Sequence, residues 1–200
     1  MPRSKTSMSS ETTPSTIEPS TINDGLPLPK LVVFDLDYTL WPFWVDTHVT
    51  PPLKAQEGGA KVKDRYGEGF GFYAEVGGVL ATLQRLNIKI GAASRTETPD
   101  LARDMLKLLK VPTPNGPVKA IELFDHLQIY PGSKIRHFEK LQQQTGLAYE
   151  EMLFFDDESR NRDTEKLGVV MWLVRDGVTR AEFDEGVKSW RKRNRRTTAE

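Results

Sequence analysis

Short apolar runs alternate along the chain with longer segments in which apolar residues recur every three or four positions. An uninterrupted apolar run of this length is typical of a strand that is buried on both faces of a sheet. The predicted strands are Leu31–Phe34, Ile88–Ala93, Leu127–Tyr130, Met152–Phe155 and Val169–Val174.

The segments between these strands have the periodicity of amphipathic helices. Tyr73–Asn87 forms the first predicted helix, and Thr98-Pro99 begins the second. Gly146 is predicted to end a third, and Thr179 begins the last. Strands that alternate with helices predict an α/β fold, in which a doubly wound, mainly parallel sheet is covered by helices on both faces.

The two ends of the chain differ in composition from its middle. The first 28 residues are rich in Ser, Thr and Pro and are predicted to be a disordered tail. Residues 191–200 are predicted to be a basic tail. Residues 29–190 then form one domain, with a minimal cap insertion or loop at about residues 45–72.

Composition excludes several classes of site and partner. Hydrophobic residues make up 38% and charged residues 28%, with zero net charge, so neither nucleic acid nor a membrane is expected as a partner. The chain has no cysteine, which excludes disulfides, thiolate metal sites and a cysteine nucleophile. We expect a protein of the cytoplasm, and also of the nucleus if the basic tail directs import. The sequence does not indicate an oligomeric state.

Polar side chains follow four of the predicted strands, at the point where each strand ends. In an open α/β sheet, the carboxyl ends of the strands border the ligand crevice, so these side chains should meet there. They are Asp35, Asp37, Ser94, Arg95, Lys134, Asp156 and Asp157.

Such a group of side chains favours phosphoryl chemistry. Carboxylates brought close together repel one another unless a cation lies between them, and their hard oxygen atoms suit Mg²⁺. A lysine and a hydroxyl beside the cation are suited to bind a phosphoryl group, which a neighbouring carboxylate can attack.

Four motifs resemble those of a known superfamily. Residues 32–40 (VVFDLDYTL) resemble the first motif of the haloacid-dehalogenase-like (HAD) phosphotransferases, and residues 35–52 resemble its magnesium-dependent phosphatase family. Residues 92–96 (AASRT), 130–134 (YPGSK) and 154–158 (FFDDE) continue the likeness in the same order. The resemblance covers about residues 30–185 and implies a HAD-like Rossmannoid fold.

The resemblance also implies the two catalytic residues. Asp35 would be the nucleophile that forms an aspartyl-phosphate, and its second oxygen would bind Mg²⁺. Asp37 would protonate the leaving group and then activate water, while its backbone carbonyl would bind the metal. An acid at the position of Asp37 is typical of the phosphatases and mutases of this superfamily.

The remaining candidates would bind the metal or the substrate. The resemblance implies that Asp156 is the third metal ligand and that Asp157 supports the metal shell or Lys134. Ser94 and Lys134 would bind the phosphoryl group. Arg95 is either a substrate contact or part of a surface ion pair.

The sequence leaves the substrate open between a phosphorylated protein, such as one carrying phosphotyrosine, and a small phosphorylated metabolite such as a sugar phosphate. Two other functions stay open as well, a non-catalytic phospho-ligand-binding or scaffold module and a sugar phosphomutase. Trp41, Phe43 and Trp44 follow the nucleophile and either pack in the core or stack on a substrate ring. His48 is a candidate substrate contact in the same segment.

Overall fold

The computed structural model describes residues 18–198, and all structural statements below concern these residues. The strands are β1 (Leu31–Phe34), β2 (Lys54–Gln56), β3 (Lys61–Lys63), β4 (Gly69–Phe70), β5 (Lys89–Ser94), β6 (Lys110–Val111), β7 (Val118–Lys119), β8 (His126–Ile129), β9 (Met152–Asp156) and β10 (Val170–Leu173). The α-helices are α1 (Val45–His48), α2 (Val76–Arg85), α3 (Pro99–Leu108), α4 (Lys134–Thr145) and α5 (Arg180–Arg193). No helix in this part of the chain is both long and apolar enough to cross a membrane.

The central sheet has five strands in the order β10-β9-β1-β5-β8. Every pairing between them is parallel, and β1 lies in the middle, with Phe34 opposite Ala92 of β5 and Phe155 of β9. These five strands are the ones that the apolar runs predict. The parallel sheet confirms the predicted fold class.

Alternate residues of β1 point to opposite faces of the sheet. Val32 and Phe34 belong to the larger core, which includes buried residues of α2, α3 and α5. Leu31 and Val33 belong to a smaller core, which α4 covers with Phe138. Because both faces of β1 are covered, all four of its residues are buried, as the uninterrupted apolar run requires.

Local sequence signals fix the ends of α4. The Ser133 hydroxyl accepts a hydrogen bond from the Arg136 backbone N–H, so Lys134 is the first residue of the helix. Gly146 ends the helix in the left-handed conformation, with φ of 68°, as predicted. The start of α4 follows β8, which brings Lys134 to the carboxyl edge of the sheet.

Residues 45–72, the predicted insertion, contain α1 and a small antiparallel sheet in the order β2-β3-β4. Val62 and Phe70 point inward from this sheet and are buried. The Phe70 ring lies 4.9 Å from the Phe43 ring, in an edge-to-face contact. The insertion is therefore packed on the domain through apolar side chains.

The folded part of the chain begins earlier than the sequence analysis places it. Residues 1–17 lie outside the described residues, whereas residues 18–28 pack against α5 instead of belonging to a disordered tail. A 3-10 helix spans Ser20–Ile22, and Ile22 is buried. The Asp184 carboxylate accepts four hydrogen bonds from the backbone N–H and hydroxyl groups of Ser20 and Thr21.

The basic tail also begins later than predicted, because Arg191 to Arg193 form the last turn of α5. Arg191 is buried, and its guanidinium donates to both carboxylate oxygens of Asp24, at 2.6 and 2.9 Å. It also donates to the backbone carbonyls of Thr21, Leu26 and Pro27. The composition of the C-terminal segment did not predict these contacts, because Arg191 and its partners lie near opposite ends of the chain.

We expect Arg191→Ala to destabilise the fold by about 2–4 kcal/mol, because it removes a buried charge and leaves several buried acceptors unpaired. Arg193→Ala is the matched control, since the Arg193 side chain is 47% exposed and pairs with Glu165 at the surface. That change should cost less than about 1 kcal/mol. Urea unfolding of both variants measures the difference, and equal losses would contradict the anchoring role.

Candidate active site

The parallel sheet brings together the polar residues that follow its strands. Asp35 follows β1, Ser94 ends β5 and Asp156 ends β9, and these three strands are adjacent in the sheet. All three residues are buried. Asp35 and Ser94 line one cleft, and Asp156 contacts Lys134, which also lines it. The cleft is lined by Asp35, Asp37, Trp44, Asp46, Ser94, Arg95, Thr96, Lys134, Asp157, Glu158 and Arg160.

Lys134 occupies the centre of this arrangement and is only 2% exposed. Its ammonium nitrogen lies 2.6 Å from Oδ1 of Asp35 and 3.0 Å from Oδ2 of Asp156, and it also donates to the Ala93 carbonyl. Burial alone would lower the pKa of Lys134, but the charges of the two carboxylates outweigh it and raise the pKa. Lys134 therefore stays protonated and compensates two buried acids.

Asp35 is the carboxyl group that pairs with Lys134, and burial affects its pKa in the opposite direction. Burial raises the pKa of its carboxyl well above the usual value, and the negative charges of Asp156 and Asp37 act in the same direction against the attraction of Lys134. The backbone N–H of Asp35 donates to the Phe155 carbonyl at 2.9 Å, which extends the sheet pairing by one residue. The side chain is thereby fixed beside Lys134.

Asp37 turns its carboxyl away from this ion pair. Its Oδ1 accepts hydrogen bonds from Nε1 of Trp41 at 2.7 Å and from the backbone N–H of Val45 at 3.2 Å. Burial is the main cause that raises the pKa of Asp37 to about 6. Because both donors bind Oδ1, Oδ2 is the oxygen that is free to accept a proton.

The two acids after β9 differ in their surroundings. Asp156 is fully buried, and both of its carboxylate oxygens accept from Nδ2 of Asn161 at 2.9 Å. Asp157 lines the cleft, and burial together with the charge of Asp156 raises its pKa to about 6. Asp156 is thus the one that contacts Lys134, and Asp157 faces the cleft nearby.

The predicted substrate-binding residues are also placed at the cleft. The Ser94 hydroxyl is buried and accepts from the Thr96 backbone N–H at 3.3 Å, which leaves its own proton available to a ligand. Arg95 is partly exposed and lines the cleft. It forms no salt bridge within residues 18–198, so the surface ion pair that the sequence left open is absent there.

The donor set fits a divalent cation. Five acidic and three basic side chains line the cleft, and the buried Asp156 adds a further negative charge. Oxygen donors with a surplus of negative charge are the ligands that Mg²⁺ prefers. Within residues 18–198, no three acidic or histidine side chains lie close enough together to hold a metal ion by themselves. The predicted metal ligands are the carboxylates of Asp35 and Asp156 and the backbone carbonyl of Asp37, so the Asp37 carboxyl is not required.

Comparison with known proteins shows the family of this chain. A family model described as Acid Phosphatase matches residues 27–193. A HAD-like hydrolase superfamily protein of Schizosaccharomyces pombe is 47% identical over 146 residues, which cover 72% of this chain and 85% of that protein. Magnesium-dependent phosphatase 1 of Homo sapiens is 46% identical over 166 residues, covering 82% and 89% of the two chains.

The chain belongs to the acid phosphatase family. The match covers most of the chain, and the relatives are similar over nearly their whole length. The crystal structure of a HAD-superfamily hydrolase from Ehrlichia chaffeensis has the same fold, with a TM-score of 0.55 at 11% identity, covering 82% of this chain and 98% of that one. The predicted family resemblance and enzyme class, a phosphatase, are confirmed.

The sequence analysis did not name Asn161 or Asp46 as residues of the site. Asn161 is 3% exposed and fixes the Asp156 carboxylate from the 3-10 helix Ser159–Leu167. Asp46 of α1 lines the cleft and accepts weakly from the Thr96 hydroxyl and the Glu97 backbone N–H, each at 3.4 Å. Neither residue follows a strand directly, so the pattern of strand ends could not indicate them.

The aromatic residues after Asp35 divide between core and cleft. Trp41 and Phe43 are buried and stack on each other, with ring centres 5.4 Å apart. Trp44 is 51% exposed and lines the cleft. Its ring contacts Tyr38 edge to face at 5.0 Å and stacks on His48 at 5.6 Å. Thus only Trp44 of the three is available to a substrate.

His137, on the first turn of α4, is expected to make the free energy of unfolding depend on pH. It is fully buried, and burial followed by the charge of Lys134 lowers its pKa to about 4. Between pH 6.5 and 4 the unfolded chain binds a proton there that the folded protein does not, so stability falls as the pH falls. We expect wild type to lose about 2 kcal/mol more than His137→Gln between pH 7 and pH 5. Urea unfolding at both pH values measures this, and parallel losses would contradict it.

Proposed function

We propose that the protein is a magnesium-dependent phosphomonoesterase that forms an aspartyl-phosphate on Asp35 and acts best on aryl phosphates, such as phosphotyrosine in a protein segment. The observation that carries the proposal is the pair of differently placed carboxyls. Asp35 is ion-paired to Lys134, whereas Asp37 is hydrogen-bonded through Oδ1 and has a pKa of about 6. One carboxyl is suited to attack and the other to carry a proton.

The metal part of the proposal rests on the donor set and the relatives. Mg²⁺ would be held by the carboxylates of Asp35 and Asp156 and by the backbone carbonyl of Asp37. When bound, it would neutralise charge on the phosphoryl group and on Asp35. The name of the human relative, magnesium-dependent phosphatase 1, supports this choice of metal.

In the first step, an Asp35 carboxylate oxygen forms a bond to phosphorus as the bond to the ester oxygen breaks. Asp37 transfers its proton from Oδ2 to the departing oxygen, which leaves as an alcohol or phenol. Lys134 keeps the two anions close enough to react, and the hydroxyl proton of Ser94 is available to a phosphoryl oxygen.

In the second step, Asp37 accepts a proton from water while the water oxygen attacks phosphorus. The bond between phosphorus and Asp35 breaks, which releases inorganic phosphate and returns both carboxyls to their starting states. Trp41 and Val45 hold Asp37 in one orientation through both steps, since their donors bind the oxygen that does not carry the proton.

The preference for aryl phosphates is supported by Trp44. Its indole is half exposed at the cleft and is held between Tyr38 and His48, so it offers a fixed aromatic surface near the nucleophile. A phenyl ring can stack on such a surface, whereas an aliphatic leaving group gains less. The small insertion, folded back on the domain through Phe70, is compatible with access by a protein segment.

We expect Trp44→Ala to lower kcat/KM for a phosphotyrosine peptide about five- to tenfold, because the stacking surface is lost. The value for a sugar phosphate should change less than twofold. Tyr66→Ala is the matched control, since Tyr66 is 79% exposed but does not line the cleft. Steady-state assays with both substrates measure the ratio, and equal losses for both substrates would contradict the preference.

The same assays separate the alternatives. Phosphate release that needs Mg²⁺ and stops in EDTA supports the hydrolase. Transfer to an added sugar alcohol in preference to water would favour a phosphomutase. Binding without turnover of any phosphate ester would favour a non-catalytic module.

A further inference from the structure

Two pairs of lysines lie directly opposite each other across strands outside the active site. Lys54 of β2 is paired in register with Lys63 of β3, and Lys110 of β6 is paired with Lys119 of β7. All four side chains are exposed. Like charges in directly opposed positions destabilise a sheet, so this arrangement is not explained by folding.

The two pairs belong to one surface. Lys61 points outward from β3 on the same side as Lys63, since Val62 between them is buried. The Lys110 stem packs over Gly59, in the turn that joins β2 to β3, and a Cβ at Gly59 would lie 2.6 Å from Cγ of Lys110. We call this surface the lysine face, and it consists of Lys54, Lys61, Lys63, Lys110 and Lys119.

Little on the molecule balances the charge of the lysine face. Lys61 pairs with Glu57 at 3.3 Å, but the other four lysines form no salt bridge within residues 18–198. The whole chain has zero net charge, so the excess positive charge of this face is offset by an excess of acidic residues elsewhere in the chain. The uncompensated positive charge therefore favours an anionic partner.

We propose that the lysine face binds an acidic segment of a partner protein. Val62 and Val111, the apolar neighbours of these lysines in β3 and β6, are buried and cannot insert into a membrane. The sequence pI of about 6.9 is far below that of a nucleic-acid-binding domain. Ammonium groups spaced along two adjacent hairpins match carboxylates spaced along an extended chain.

Fluorescence anisotropy of a labelled, unphosphorylated oligoglutamate peptide tests the proposal without involving catalysis. We expect wild type to bind it with a salt-dependent affinity, and Lys54→Glu/Lys63→Glu to weaken binding at least tenfold. Lys140→Glu/Lys192→Glu is the matched control, because both lysines are exposed and lie elsewhere, on α4 and α5. The control should change binding less than twofold.

A second variant separates binding from folding. Lys63→Glu places opposite charges across β2 and β3, so we expect the Tm to rise by about 1–3 °C while peptide binding falls. Failure of wild type to bind the peptide at physiological salt would overturn the proposal. Tighter binding of an oligonucleotide of equal charge, or of phosphatidylserine vesicles, would overturn it as well. Phosphatase activity on a small aryl phosphate should be unchanged in every variant.

Discussion

Asp35→Asn will reduce phosphatase activity at least about 10⁴-fold, because an amide cannot form the covalent bond to phosphorus. Asn retains a side-chain oxygen within reach of Lys134, which lies 2.6 Å from Oδ1 in the wild type. The variant should therefore fold normally. Hydrolysis of p-nitrophenyl phosphate with Mg²⁺ measures the loss, and circular dichroism checks the fold.

Two further measurements make this result specific to a nucleophile. Mass spectrometry after acid quenching should detect a phosphorylated wild-type chain and no phosphorylated Asp35→Asn chain. Asp35→Glu keeps the negative charge but extends the side chain by one methylene, and it should also lose nearly all activity. Substantial activity in either variant would show that Asp35 does not attack phosphorus.

Lys134→Met will lower both stability and activity. In the wild type, the Asp35 and Asp156 carboxylates each lie within 3.0 Å of the Lys134 ammonium group. The substitution leaves both carboxylates without this buried cation. Removing one member of a buried ionic group costs about 3–5 kcal/mol. We expect kcat to fall by about 10²–10³-fold, since the positive charge beside the reacting anions is lost. Urea unfolding and steady-state kinetics measure the two losses.

Lys134→Arg is the control for charge alone. It keeps a cation, but a planar guanidinium cannot reproduce the contacts of one ammonium with Asp35, Asp156 and the Ala93 carbonyl. Its stability should be closer to wild type than that of Lys134→Met, while its activity should stay low. Wild-type activity in Lys134→Met would contradict the role of the ammonium group.

Much of the site was predictable because the fold itself places it. The apolar runs predicted β1, β5 and β9, and in a parallel sheet the carboxyl ends of neighbouring strands lie at one edge. These signals therefore predict that Asp35, Ser94 and Asp156 lie at one edge, and the observed strand order makes their three strands neighbours. Lys134 follows the same logic, since a serine cap fixes the start of α4 just after β8.

Other features depended on contacts that no local pattern encodes. Arg191 looks like the start of a basic tail, but it binds Asp24, which lies 167 positions earlier in the chain. Asn161 fixes Asp156 only because the chain after β9 folds back as a 3-10 helix. Both residues are buried polar groups, and the identity of a buried partner is decided by tertiary packing.

The amino-acid sequence by itself determined the strands, their order along the chain and the polar residues that directly follow them, because strand periodicity and turn residues act over short distances. Only the tertiary structure decided the orientation, exposure and pKa of the individual side chains. It turned the Asp37 carboxyl to Trp41 and raised its pKa to about 6, left Trp44 exposed while burying Trp41, and joined two hairpins into the lysine face. Burial and charge depend on neighbours distant in sequence, and only the folded chain brings those neighbours together.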